Sequence, residues 1–369
     1  MKQNNSLLPQ GIRYILSPNA EKISLLDNFL LNSFNSYGYE SIVLPLLEFE
    51  ENIKDTNEIN NSFRVLDAET GKMMSIRSDM TLQIGRIASN RLKEKVRPLR
   101  LMYSGDVLRV KGSTNRPSRG FKQYGIELIG VDNANADAEV ILIATQSLQN
   151  LNCGGISVDI CIPTLPKLVA ESCGVDYNDI KALIEKRDVK KLTDINTIFG
   201  DLLSIQGDAD KNIKKLEGLK LDDKSMELIK RTSQVIDILK SELADSGISI
   251  TLDACETKGF KFQTGIGFTL FSSNSKFELG RGGRYKLSET KESSVGFSMY
   301  SDTLEEIVKN TQDQEKIFAP LDTDKKVIKD LRESGKIVVC ALTDDKDNKK
   351  TAVNINCSHI IENNKVVKL

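Results

Sequence analysis

The stretch from Gly105 to Gly125, GDVLRVKGSTNRPSRGFKQYG, most constrains how this chain can fold. It reads as a strand ending at Arg109, a polar loop with Gly112, Asn115 and Pro117, and a second strand. The second strand returns from Arg119 through Phe121, Gln123 and Tyr124. Successive side chains of a strand point to opposite faces. Phe121, Gln123, Gly125 and Glu127 therefore share one face, and Tyr124, Ile126 and Leu128 share the other. The first face carries the polar groups and is expected to line a site. The second is apolar and is expected to pack under helices. Cations at both ends of the loop and polar groups on one strand face make a holder for a small charged ligand. A carboxylate on an inward-looking face is costly unless paired, which favours a site role for Glu127.

The rest of the chain reads as flanking helices and further strands. Ser17-Pro18 has the form of a helix start, an oxygen to cap and a proline at the first helical position. Ile23, Leu26, Leu30, Phe34 and Tyr37 follow at helical spacing, and Gly38 ends the run. Phe63 to Asp67 and Met73 to Arg77 flank Glu69-Thr70-Gly71-Lys72 as a hairpin. A helix from about Asp79 to Leu92 sets Met80, Ile84, Ile87 and Ala88 on one face, and another spans Ala136 to Leu151. Asp79 serves equally well as the cap of its helix or as a site acceptor, and Thr81 is as ambiguous. From Pro163 to Gly247 the pattern is helical throughout, and strands resume from Ile248 to Met299. The charged segment TQDQEK marks a boundary beyond Asn310. After it come a helix near Asp324 to Glu333, a strand over Lys336 to Cys340, and short strand signals around Ile360 and Val366.

Composition excludes several classes. With 51 Lys plus Arg against 52 Asp plus Glu, the net charge is −1, which weakens a role with RNA as main partner. Cysteines at 153, 161, 173, 255, 340 and 357 form no C-x-x-C pair, and His359 is the single histidine. That argues against a structural zinc site, and no metal or cofactor is expected. The N-terminal MKQNNSLLPQG lacks the apolar core of a secretory signal, and no apolar run approaches the ~20 residues that span a bilayer. A cytoplasmic protein with no membrane contact is expected.

At this spacing the Gly105–Gly125 stretch resembles motif 2 of class II aminoacyl-tRNA synthetases, the histidyl enzyme in particular. Further blocks follow in the family's order. Gly38-Tyr39-Glu40 and Pro45-Leu46-Leu47-Glu48 resemble motif 1, which builds the dimer interface in that class. Ile76-Arg77-Ser78-Asp79-Met80-Thr81 resembles the LRPEGT block that holds the histidine ammonium group. The segment from Lys258 to Gly265, with Phe262 and Gln263, resembles the RGLDYYTG block that encloses the imidazole. Gly282-Gly283-Arg284-Tyr285 resembles GGRYD, and Val295-Gly296-Phe297-Ser298-Met299 resembles the start of motif 3. The resemblance implies an α+β fold: a class II synthetase-like antiparallel sheet of six or seven strands flanked by helices. Its core would take residues 1–162 and 247–310, with a helical insertion at 163–246 and a small α/β appendage at 311–369.

The departures share one direction. Where the synthetase has a glutamate that reads adenine, this chain has Lys111, and where motif 3 ends in a phosphate-binding arginine it has Thr303. Lys258 replaces the arginine that opens the histidine block. Lysine keeps the charge but loses the planar fork that orients carboxylate or phosphate. Activation of an amino acid by ATP depends on such clamps. The residues matched to the amino-acid pocket are Asp79, Thr81, Arg109, Gln123, Glu127, Phe262 and Gln263. This profile is similar to the ATP phosphoribosyltransferase regulatory subunits, the non-catalytic synthetase paralogues of histidine biosynthesis. That resemblance implies a short-form catalytic partner, self-association as a dimer, histidine as an effector and no tRNA. The alternatives are a divergent histidyl-tRNA synthetase and a synthetase-derived binding module with another partner.

Overall fold

The computed structural model of the chain describes residues 8–53, 56–112, 116–260, 262–308, 315–344 and 347–369. Asn115, Lys261 and most of the TQDQEK segment lie outside the described residues. The chain divides into two compact units, Met1–Val308 and Lys309–Leu369.

The first unit begins with α1 (Asn19–Ser36), β1 (Glu40–Ser41), β2 (Leu47–Phe49), α2 (Thr56–Asn61), β3 (Arg64–Leu66) and β4 (Met73–Ile76). It continues with α3 (Thr81–Asn90), β5 (Leu99–Leu108), β6 (Gly120–Ile129), α4 (Ala134–Asn150) and β7 (Ile156–Cys161). A mostly helical stretch holds α5 (Leu165–Ser172), α6 (Tyr177–Lys186), α7 (Val189–Ile195), α8 (Thr197–Ser204), β8 (Gln206–Asp208), α9 (Ala209–Glu217) and α10 (Asp223–Glu242). The unit closes with β9 (Ser249–Asp253), β10 (Gln263–Ser272), β11 (Gly280–Lys286), β12 (Ser293–Tyr300) and α11 (Ser301–Ile307).

Nine of these strands build one sheet in the order β1-β5-β6-β12-β11-β10-β7-β9-β8, and the other three build a small sheet in the order β2-β4-β3. From β5 across to β7 every neighbouring pair is antiparallel. At the margins β1 joins β5 and β9 joins β7 in parallel. The α+β class stands, but the sheet is mixed and wider than six or seven strands. The extra width comes from β1 and β8, two and three residues long and fully exposed. Strands so short carry no alternating pattern to read. Gln206-Gly207-Asp208 also interrupts the stretch read as helical throughout. Asp208 ends that strand and caps α9 by accepting from the Lys211 N–H at 3.0 Å.

The hairpin of β5 and β6 is the spine of the unit, with Leu101 opposite Glu127 and Gly105 opposite Gln123. Tyr124, Ile126 and Leu128 of β6 are buried with Leu26, Leu30 and Phe34 of α1 and Val140 and Ala144 of α4. On the opposite face Phe121 packs with Met80, Ile84 and Ala88 of α3. Each such side chain removed from water contributes roughly 1.5–3 kcal/mol. The β6 alternation thus separates an apolar layer under α1 and α4 from a polar layer toward α3. Ser17 does not cap α1: Pro18 sits at the cap position, and its ring offers no acceptor. Gly38, at φ +80, takes the left-handed turn that lets the chain leave α1 for β1.

The second unit contains β13 (Lys316–Ala319), α12 (Lys325–Glu333), β14 (Ile337–Cys340), α13 (Asn348–Asn354), β15 (His359–Glu362) and β16 (Lys365–Lys368). Its sheet runs β14-β13-β15-β16, parallel except for β16. The signals near 324–333, 336–340, 360 and 366 coincide with α12, β14, β15 and β16. The short β13 and the polar α13 gave no sequence signal.

Candidate functional site

On the α3 side of the large sheet lies a cleft of about 1010 Å³. Asp79, Thr81, Arg109, Glu127, Phe262 and Gln263 line it, as do Lys111 and Lys258. Gln123, fully buried, stands behind Asp79 and is bonded to it.

Asp79 occupies the turn into α3. Its Oδ1 accepts from the Thr81 N–H at 2.9 Å, although Met80 rather than Asp79 holds the cap position of α3. Its Oδ2 accepts from Gln123 Nε2 at 3.2 Å and lies 3.8 Å from Arg109 Nη2. The carboxylate that bonds the first N–H of α3 is therefore also part of the cleft wall. The Gln123 amide bonds in three directions. Nε2 also donates to Ser298 Oγ at 2.7 Å, and Oε1 accepts from the Met80 N–H at 3.1 Å. With both amide hydrogens committed, Gln123 holds Asp79 and the start of α3 in place.

Glu127 is 1 % exposed, and its Oε2 accepts from the Tyr285 hydroxyl at 2.9 Å. Burial pushes its carboxyl up to about 8, opposed by hydrogen bonds from Tyr285 and Thr81 and reinforced by the charge of Asp79. Gly296 of β12 pairs with Glu127, and a Cβ there would overlap the carboxylate. Only glycine lets β12 pass so close. Thr81 Oγ1 is 3.3 Å from the Tyr103 hydroxyl, which in turn is 2.8 Å from Ser298 Oγ. The floor of the cleft is thus a connected set of hydroxyls and two carboxyls.

Arg109 leaves the end of β5. Its Nε donates to Ser78 O at 3.2 Å, and its guanidinium lies 5.0 Å from the Phe121 ring centre. Phe262 is half exposed at the rim. Gln263 pairs with Tyr285 across β10 and β11, and its Oε1 is buried with no hydrogen-bond partner. The motif arginine Arg284, between two residues that face the cleft, instead donates from Nε to the buried Asp137 of α4 at 2.7 Å. It ties the sheet to α4 and belongs to the fold.

One arginine escaped the sequence reading. Arg116, in the loop between β5 and β6, is 3 % exposed. Its Nη1 donates to Asp302 Oδ1 at 2.6 Å, and Nη2 lies 3.6 Å from Glu278 Oε1. Its guanidinium sits 3.6 Å from the centre of the Tyr300 ring, a close cation–π contact. Nothing local distinguishes Arg116 from a surface cation, since its partners lie 162 and 186 residues away. Thr303 is buried in α11, where its hydroxyl donates to Tyr300 O at 3.2 Å.

Comparisons with known proteins place the chain in a family. The histidyl-tRNA synthetase family model matches residues 11–304. The chain is 34% identical over 366 residues to the ATP phosphoribosyltransferase regulatory subunit of Paramagnetospirillum magneticum, covering 96% of each. It is 34% identical over 365 residues to that of Rhodospirillum centenum, covering 96% of this chain and 94% of the relative. A crystal structure of an ATP phosphoribosyltransferase regulatory subunit/histidyl-tRNA synthetase from Bacillus halodurans superposes with a TM-score of 0.80. That likeness, at 24% identity over 96% of this chain and 97% of the other, shows the shared fold. Built on a histidyl-tRNA synthetase domain and matched along nearly its whole length, the chain belongs to the ATP phosphoribosyltransferase regulatory subunit family, as a regulatory rather than a catalytic chain.

Proposed function

We propose that this chain binds a short-form catalytic ATP phosphoribosyltransferase subunit, is needed for its activity, and takes free histidine in the cleft as the feedback signal. The enzyme so regulated transfers the phosphoribosyl group of PRPP to ATP, the first step of L-histidine biosynthesis. The observation that carries the reading is the set of acceptors that the cleft places beside Arg109. Asp79, Glu127 and the unpartnered Gln263 Oε1 are acceptors suited to an ammonium group and an imidazole N–H. Arg109 beside them is a cation suited to a carboxylate. Arg116, which lies against the same Phe121 and Tyr300 rings as Arg109, is already neutralised by Asp302 and Glu278. Lys111 and Lys258 also line the cleft, so the preference for a zwitterionic amino acid rests on the acceptors that stand beside Arg109.

Histidine acts by binding two arrangements of the complex unequally, favouring the less active one. The chain works in the cytoplasm, self-associates as a dimer through the segment around Tyr39 to Glu48, and needs neither tRNA nor a membrane. Among the described residues no helix is long and apolar enough to cross one. The test is sedimentation of the chain with its catalytic partner, combined with calorimetric titration of histidine into each component and into the mixture. The account expects a stable hetero-oligomer and histidine binding by this chain. Histidine binding by the catalytic chain alone would move the sensor off this cleft.

A further inference from the structure

Glu127 differs from every other carboxyl in the cleft wall in what surrounds it. It is fully buried, and its neighbours are neutral hydroxyls: that of Tyr285 of β11, which donates to Oε2, and that of Thr81 of α3. The titratable groups packed around it are Asp79 before α3, Tyr103 of β5, Tyr285 of β11 and Tyr39 beside β1. All of these are acids. Among the described residues no Lys, Arg or His forms an ion pair with Glu127, and the nearby cation Arg109 is 3.8 Å from Asp79 instead. An isolated buried carboxylate is costly, and the usual escape is to keep the proton. The group's carboxyl is accordingly pushed up to about 8.

We propose that a cationic ligand enters this cleft in exchange for the Glu127 proton: the ligand ammonium, already charged in solution, pairs with the carboxylate, and the proton leaves to solvent. The exchange balances charge. Before binding the site holds a neutral carboxyl, and afterwards it holds a carboxylate matched by one ligand cation. Gly296 lets β12 lie against this carboxyl, and Tyr285 fixes one of its oxygens. The carboxyl therefore stays in place whether or not it carries the proton. The proposal rests on the reading of the cleft as a histidine site and adds that feedback strength depends on pH. Affinity should rise about fivefold between about pH 7 and about pH 8, the interval in which a group titrating near 8 loses its proton.

The experiment is calorimetric titration of L-histidine into the full chain near neutral pH, in two buffers of different ionisation enthalpy. The proposal expects most of one proton released per histidine bound by the wild type, and almost none by Glu127→Gln. Tyr285→Phe, which keeps the carboxyl but removes its hydroxyl donor, should move the rise in affinity to higher pH. This second variant decides the matter if Glu127→Gln does not fold. Histidine binding by the wild type without proton release overturns this inference and leaves the histidine site standing. Absence of histidine binding at every pH overturns both.

Discussion

The guanidinium of Arg116 lies 3.6 Å from the centre of the Tyr300 ring while its Nη1 donates to Asp302 Oδ1 at 2.6 Å. The chain's own cation thus fills the part of the cleft beside motif 3. Thr303, where the synthetase pattern has an arginine, is buried inside α11 with its hydroxyl on Tyr300 O. Two consequences are expected. Histidine-dependent ATP–pyrophosphate exchange stays at background. Thr303→Arg does not restore it and instead lowers stability by ~2 kcal/mol or more, because it buries a large unpaired cation. Exchange above background in the wild type would contradict this.

Arg109→Ala should weaken histidine binding by ~1.5–3 kcal/mol, the worth of a hydrogen bond to a charged group. The inhibition curve of the complex should shift to higher histidine by the matching factor. Unchanged affinity and unchanged inhibition would place the carboxylate of the ligand elsewhere.

How much of this was legible in sequence differs from residue to residue. The β6 alternation set Gln123 and Glu127 on the face opposite Tyr124 and Ile126, and the structure keeps that division because one face meets α1 and α4. The contact of Asp79 with Thr81 was legible because it is local, but the cap position itself falls on Met80. Arg116 was not legible, since Asp302 and Glu278 reach it only through the folded sheet. Nor was the committed state of Gln123, which depends on Ser298 arriving from β12. Edge strands such as β1 and β8 were missed because exposed dipeptides and tripeptides carry no periodicity.

Glu127 also predicts a pH dependence of stability in the ligand-free chain. Its folded carboxyl is raised from its ordinary value of 4.5 to about 8. Between those limits the native state holds a proton that the unfolded chain has released. Stability from this group is therefore full below the unfolded value and is lost as pH rises toward 8, by up to ~1.4 kcal/mol per pH unit. Glu127→Gln lacks this loss. Urea denaturation from about pH 5 to about pH 9 should show the variant gaining on the wild type as pH rises. Parallel curves would contradict the placement of a protonated carboxyl here.

Beside β1 and β2, Val43 is 93 % exposed and Leu46 47 % exposed. Apolar side chains left in water next to a short edge strand fit a two-fold contact between copies of the chain. Val43→Asp should shift sedimentation toward monomer at micromolar concentration. Identical profiles for variant and wild type would argue for another contact face.

The most direct test of the central claim is the rate of ATP phosphoribosyl transfer by the short catalytic subunit under three conditions: alone, with this chain, and with this chain plus histidine. The account predicts that the chain raises turnover and that histidine lowers the raised rate. A mixture that behaves kinetically like the catalytic subunit alone, with or without histidine, would contradict it.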